Sequence, residues 1–393
     1  MAIERVIVVV LDGVGMGELP DAPDYGDAGS DTLVHAAAAV GGLRLPCMER
    51  LGLGRIRPIA GVAAVPAPLG AGGRMRERSP GKDSVTGHWE MAGVVLERPF
   101  PTYPTGFPRE VVEAFEVIAG VPALGNEPAS GTEIIARLGA EHLRTARPIL
   151  YTSSDSVFQV AAHEGVIPLG RLHAMCAAAR RMLTGDHAVG RVIARPFVGE
   201  PGTFRRTVGR RDFPLDPPPN MLDELVAAGV TVHAIGRISE FFNGRAILSS
   251  DATTDNAGHM AALRRAVERR GAGLVWANLE DFDMLFGHRN DAVGFARALE
   301  AFDALLPTVL QAMQEPDLLI LTSDHGNDPT TPSTDHSREH ALLLAYSPSL
   351  PSGVDLGDRD TMADIAATVR AVFGLAPGGH GASFLQALTA GPA

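Results

Sequence analysis

Leu318-Leu319-Ile320-Leu321-Thr322-Ser323-Asp324-His325 opens as an aliphatic run and closes on a carboxylate followed by an imidazole. Such a run has the composition of a buried strand. In open α/β sheets, ligands collect outside the carboxyl ends of strands. Asp324 and His325 therefore stand where a bound ion is expected. Two further runs end alike: Val6–Leu11 leads into Asp12, and Leu274–Asn278 leads into Asp281 and Asp283, with His288 close behind. His336 follows the first pair across a short loop. One such Asp alone reads as a cap or turn residue. Three at strand ends, two with His nearby, read as a metal site.

Mixed Asp and His ligands favour Mn²⁺ or Zn²⁺ over Mg²⁺ and Ca²⁺, which prefer oxygen shells. Two divalent ions about 4 Å apart can clamp a transferring phosphoryl group and sharpen an attacking hydroxyl. The hydroxyl is supplied by Gly81-Lys82-Asp83-Ser84-Val85-Thr86-Gly87-His88-Trp89-Glu90. Glycines there permit close backbone approach, and amides at a helix start can cradle phosphate. Metal coordination is one way to activate a serine, which is a poor nucleophile at its free pKa. Ser84 is the first candidate and Thr86 the second; taken alone the loop reads rather as a Ser-x-x-Gly turn with helix capping.

Around these residues, strand-like runs at Val6–Leu11, Ile149–Thr152, Arg191–Ala194, Thr231–Ile235, Leu274–Asn278, Leu318–Thr322 and Leu342–Tyr346 alternate with helical patterns. The helical segments are Asp223–Ala228, Ala257–Arg270, Ala292–Gln314 and Thr361–Phe373, with Asn220 and Asp255 as N-caps. The alternation predicts an α/β protein with a largely parallel sheet flanked by helices. Two Pro-rich stretches, 98–104 and 214–219, suit semi-rigid connectors. The metal-type residues all lie outside the interval they bracket. The expected organisation is a core of 1–98 and 219–393 with a smaller cap of 99–218 inserted.

At 393 residues and 41.3 kDa, with 45% hydrophobic residues, the chain supports two domains and a large core. A formal net charge of −12 argues against a generic nucleic-acid or membrane-surface binder. Only Cys47 and Cys176 are present, so neither a disulfide framework nor a thiolate metal site is expected. The short apolar run near the start is broken by Asp12 and has neither signal-peptide nor membrane-span character. A cytoplasmic protein is expected.

Asp12-Gly13-Val14-Gly15-Met16-Gly17, residues 26–32 (GDAGSDT), the Lys82–Glu90 loop, residues 281–288 (DFDMLFGH) and Asp324-His325-Gly326-Asn327-Asp328 resemble the prokaryotic phosphopentomutases of the alkaline phosphatase superfamily. The resemblance continues through residues 129–133, 154–156 and 190–197, and so covers nearly the whole chain. It implies an alkaline-phosphatase-like core with an inserted α/β cap. One divalent ion, expected to be Mn²⁺, would be held by Asp283, His288 and His336. A second would be held by Asp12, Asp324 and His325, with Ser84 completing its shell.

The implied activity interconverts ribose 1-phosphate and ribose 5-phosphate, or the 2-deoxy sugars, through a phosphoenzyme and a pentose bisphosphate. A sugar bisphosphate activator is compatible with that scheme; no nucleic acid, membrane or protein partner is implied. Asp155, Arg191, Ile193 and Arg237 are the implied substrate contacts. Two positions depart from the family pattern: Ser84 stands where Thr is usual, and Arg237 where Lys is expected. Arg forks bidentately whereas Lys is a point charge. The alternatives are another enzyme of the superfamily, such as a phosphoglycerate mutase or a phosphatase, or a non-catalytic metal-binding protein.

Overall fold

The computed structural model describes residues 3–153 and 156–392. Asp155 lies outside the described residues. The chain forms two compact units, Met1–Arg98 with Pro217–Ala393, and Pro99–Asp216.

Among the described residues, the first unit contains a nine-stranded sheet. Its order is Ser249–Asp251, Val232–Ile235, Gly273–Leu279, Arg5–Leu11, Asp317–Thr322, Glu339–Tyr346, Ala71–Met75 and Asp355–Arg359, with Gly15–Glu18 paired to Glu339–Tyr346. The first five strands are parallel. Arg5–Leu11 is buried along its whole length, as a continuous apolar run in a central parallel strand must be. The exception in chemistry is Arg5, whose guanidinium reaches Asp317 at 2.6 Å and the Val267 carbonyl at 2.9 Å. Glu339–Tyr346 begins three residues before the expected Leu342 and runs antiparallel to Asp317–Thr322. The chain returns through a loop without a crossover helix, and only an antiparallel neighbour can be reached that way.

Ile7, Val9 and Leu11 pack with Leu319, Leu321, Val275 and Ala277 beneath Phe295, Leu299, Phe302 and Leu306 of the helix Ala292–Ala312. Each such buried Val, Leu, Ile or Phe side chain contributes about 1.5–3 kcal/mol. That helix stops two residues short of the expected Gln314 because Met313 turns to extended backbone. Asn220 forms a capping box with Asp223 at the helix Met221–Ala227, and Asp255 caps Asn256–Glu268 through the Gly258 amide.

Among its described residues, the second unit holds a six-stranded sheet built on Leu124–Pro128, Ile149–Thr152, Val157–His163 and Arg191–Val198. Phe107, Phe115, Phe158 and Leu172 fill one core cluster, and Leu124, Ile134, Tyr151 and Phe197 another. Cys47 and Cys176 are buried free thiols. Among the described residues, no helix is long and apolar enough to cross a membrane.

Candidate metal centre

Arg5–Leu11 lies between Gly273–Leu279 and Asp317–Thr322, in parallel and in register: Val10 pairs with Asn278 on one side and Thr322 on the other. The three runs singled out in the sequence are therefore adjacent strands whose carboxyl ends stop at one level. Asp12 and Asp324 leave directly from two of them. Asp283 sits just past the third, on a π-helical turn, Phe282–Phe286. Such turns widen the helix locally and recur at functional sites.

Nε2 of His325 lies 3.3 Å from Asp12 Oδ1, 3.3 Å from Asp324 Oδ2 and 3.1 Å from Ser84 Oγ. Both carboxylate oxygens are buried without a hydrogen-bond partner among the described residues. Asp324 is held by its other oxygen, which accepts from the amides of Gly13 and His325, each at 3.1 Å. A divalent ion with bonds of about 2.1 Å sets neighbouring ligand atoms roughly 3.0 Å apart in octahedral and 3.4 Å in tetrahedral geometry. The observed spacings match that range, and an unpaired buried carboxylate oxygen is the donor a cation requires.

A second group adjoins it. His288 Nε2 lies 3.1 Å from Asp283 Oδ2, and His336 Nε2 lies 3.4 Å from Asp283 Oδ1. His288 is oriented by its Nδ1, 2.7 Å from the Thr334 carbonyl. Ligand atoms of Asp283, His288 and His336 lie within 4.8 Å of one another, as do those of Asp12, Asp283 and His325. Asp283 thus reaches both groups, whereas the resemblance assigned it to one. Asp281 does not join them: its carboxylate accepts from the Asn256 amide at 2.8 Å, at the start of the neighbouring helix.

Ser84 begins the helix Ser84–Met91. Asp83, its N-cap, accepts from the amides of Val85 and Thr86 at 3.0 and 3.1 Å. These two amides are therefore engaged and do not stand ready to cradle a phosphate. The Thr86 hydroxyl donates to Asp83 Oδ2 at 2.5 Å and is buried. Ser84 is consequently the hydroxyl that faces His325. Gly87 permits the approach, since a Cβ there would fall 2.5 Å from the Asp324 carbonyl oxygen.

Without a cation, the electrostatics are conflicted. Burial pushes the Asp12 pKa up, but the neighbouring His325 imidazole and the Asn278 hydrogen bond outweigh it and hold it below the usual value. Burial likewise opposes Asp283, yet His336 and His288 hold it well below. Asp324 is driven well above by burial and the Asp12 charge. His325 would be lowered by burial, but Asp324, Asp12 and Asp283 raise it well above its ordinary value. The Asp283 hydrogen bond lifts His288 to about 9. Asp324 and the imidazoles of His325 and His288 thus hold protons where divalent ions fit.

Of the expected substrate residues, Arg191 lies 3.6 Å from Asp212 and is partly exposed. Ile193 is buried in the same strand. In the first unit, Arg237 lies 3.2 Å from Glu240 and stacks over Phe241 at 4.8 Å. Several contributors carry no role in the sequence reading. Asn278 donates to Asp12 Oδ2 at 2.8 Å, and Asn327 to Asp283 Oδ1 at 2.6 Å. Lys82 bridges Asp27 at 3.1 Å and Asp335 at 3.4 Å, tying the serine loop to the loop of His336. His88 is buried with its Nδ1 2.7 Å from the Ser84 carbonyl. The only signal available for these was their position inside or beside the quoted motifs.

The Metalloenzyme superfamily profile matches residues 4–377. A phosphopentomutase of Caldanaerobacter subterraneus subsp. tengcongensis is 54% identical over 98% of each chain. A phosphopentomutase of Herpetosiphon aurantiacus is 52% identical over 99% of this chain and 100% of its own. Among solved structures, a phosphoglycerate mutase of Leishmania mexicana matches with a TM-score of 0.50 and 13% identity over 98% of each chain, a likeness of fold alone.

Proposed function

The chain belongs to the phosphopentomutase family, within the metalloenzyme superfamily, and from that premise we propose that Ser84 is the residue that carries the phosphoryl group between the two ends of a pentose phosphate. The enzyme is an isomerase that transfers phosphate within its substrate. The finer reading is interconversion of ribose 1-phosphate and ribose 5-phosphate, and of their 2-deoxy counterparts. One observation supports Ser84 above others: its hydroxyl, Asp12 Oδ1 and Asp324 Oδ2 all gather on His325 Nε2, and neither carboxylate oxygen has a hydrogen-bond partner among the described residues.

The residues fit two divalent ions. Asp12, Asp324 and His325 would hold one beside Ser84, and Asp283, His288 and His336 the other, with Asp283 within reach of both. Their mixed oxygen and imidazole donors suit Mn²⁺. When bound, divalent ions neutralise phosphoryl oxygens and favour the ionised serine hydroxyl.

The remaining work falls to the chain itself. Asp83 fixes the first turn of the helix, so Ser84 presents Oγ rather than a mobile loop. Phosphorylated Ser84 gives its phosphoryl group to the free hydroxyl of a pentose monophosphate, forming a bisphosphate. The other phosphate then returns to Ser84 Oγ, which restores the phosphoenzyme and releases the isomer. Arg191 and Arg237 supply guanidinium forks for phosphate, Ile193 an apolar contact and Asp155 a hydroxyl contact. A sugar bisphosphate would charge Ser84 for the first turnover. The two buried free thiols support a reducing, cytoplasmic setting.

The test is a coupled assay of both pentose 1-phosphates with Mn²⁺, following isomer and inorganic phosphate together. Isomer as the dominant, chelator-sensitive product supports the proposal. Inorganic phosphate as the dominant product overturns it in favour of a phosphatase.

A further inference from the structure

Two buried asparagines stand behind the carboxylates of the metal centre. Asn278 is fully buried in the strand Gly273–Leu279, in register with Val10, and its Nδ2 donates to Asp12 Oδ2 at 2.8 Å. Asn327 is also fully buried, and its Nδ2 donates to Asp283 Oδ1 at 2.6 Å. The Asn327 backbone is itself pinned, since its amide reaches the Gly13 carbonyl at 2.9 Å and Thr32 Oγ1 at 3.1 Å. Thr32 in turn donates to buried Glu339 at 2.7 Å. In both asparagines the amide oxygen is buried without a partner among the described residues. Buried amide oxygens are ordinarily satisfied. Here each side chain makes its carboxylate bond at the expense of its own acceptor.

We propose that Asn278 and Asn327 are positioning residues for metal binding, Asn278 acting through Asp12 and Asn327 through Asp283. The inference rests on the two-ion reading above and extends it to residues that touch no ion. A carboxylate that offers one oxygen to a cation can still rotate about its Cβ–Cγ bond. A fixed donor to the carboxylate, on Oδ2 of Asp12 and on Oδ1 of Asp283, removes that freedom and pre-orients the ligand. An amide does so without charge. A lysine or arginine in the same place would cancel the negative charge that attracts the ion. Asn278 leaves Asp12 Oδ1 directed at His325 Nε2, 3.3 Å away. Asn327 holds Asp283 between the imidazoles of His288 and His336, at 3.1 and 3.4 Å.

The experiment is titration of the full-length, metal-free protein with Mn²⁺, read by calorimetry and by electron paramagnetic resonance. The proteins compared are wild type, Asn278→Ala, Asn327→Ala, Asp12→Ala, Asp283→Ala and the pairs Asn278→Ala/Asp12→Ala and Asn327→Ala/Asp283→Ala. Each asparagine variant is expected to weaken Mn²⁺ binding by about 10- to 100-fold. The pairs are expected to bind no more weakly than the Asp single variants, because each asparagine acts through its carboxylate. A structural role alone would instead add its loss in the Asp-less background, and that additivity would overturn the inference. Unchanged Mn²⁺ affinity in both asparagine variants would also overturn it. Wild type binding no Mn²⁺ would sink the two-ion reading itself, a distinct outcome. If an alanine variant does not fold, Asn278→Leu and Asn327→Leu, close to asparagine in shape and lacking the donor, repeat the comparison.

Discussion

Ser84 Oγ and His325 Nε2 lie 3.1 Å apart although 241 residues separate them in the chain. The helix start places one and the end of a central strand places the other, so neither depends on a long flexible loop. Replacing Ser84 with Ala should lower turnover at least about 10³-fold, as loss of an essential nucleophile does. Metal binding should persist, because the Asp and His ligands remain. Ser84→Thr keeps the hydroxyl and should retain activity within about tenfold. Steady-state kinetics with a parallel metal titration checks all three.

Gly87 gives a prediction whose sign opposes helix propensity. It lies inside the helix Ser84–Met91, where Ala is intrinsically favoured over Gly by about 1 kcal/mol. Yet a Cβ would press to 2.5 Å from the Asp324 carbonyl oxygen and 2.9 Å from the Asp324 Cβ. Backbone on both sides cannot yield cheaply, so Gly87→Ala should push Ser84 away from His325. A displacement near 1 Å costs about 10²-fold in rate. Measuring kcat for Gly87→Ala beside its melting temperature separates the two effects.

Much of this centre was legible in the sequence because its pieces hang on strands that announce themselves. Val6–Leu11, Leu274–Ala277 and Leu318–Leu321 are apolar throughout, and a carboxylate shortly after such a run is conspicuous. That these strands are neighbours in register is a property of the sheet, which residue patterns do not encode. Direction was equally hidden: Glu339–Tyr346 reads as a buried strand whether parallel or antiparallel. Asp281 and Asp283 look equivalent two residues apart, but the π-helical turn sends Asp283 inward while Asp281 meets the Asn256 amide. Asn278 and Asn327 escaped because a neutral amide is conspicuous only once its carboxylate partner is seen.

Arg338 anchors the approach to the serine loop. Its buried guanidinium pairs with Glu77 at 2.7 Å and Asp21 at 3.0 Å, and bonds the carbonyls of Ser79 at 2.8 Å and Gly81 at 2.6 Å. Removing it strands the buried Glu77 carboxylate and frees the chain just before Lys82. Arg338→Ala should destabilise the fold by about 3–5 kcal/mol. The midpoint of urea unfolding is the check.

His88 makes acid stability predictable in sign. Burial lowers its pKa to about 4, from an ordinary value near 6.5. Above pH 6.5 the imidazole is neutral in both folded and unfolded chains and the stability is fully present. As pH falls from 6.5 towards 4, the unfolded chain takes up a proton that the folded one refuses, and stability is lost. The contribution is about 3 kcal/mol over that interval. Urea midpoints of the metal-free protein between pH 7 and 4 should fall less steeply for His88→Gln than for wild type.

The central claim is that the phosphoryl group rests on Ser84, and mass spectrometry of peptides from enzyme quenched during turnover with Mn²⁺ tests it most directly. The account predicts one phosphoryl group on the peptide containing Ser84, assigned to that residue by fragmentation and absent from Ser84→Ala. A phosphoryl group on Thr86, or full activity with Ser84 unmodified, would contradict it.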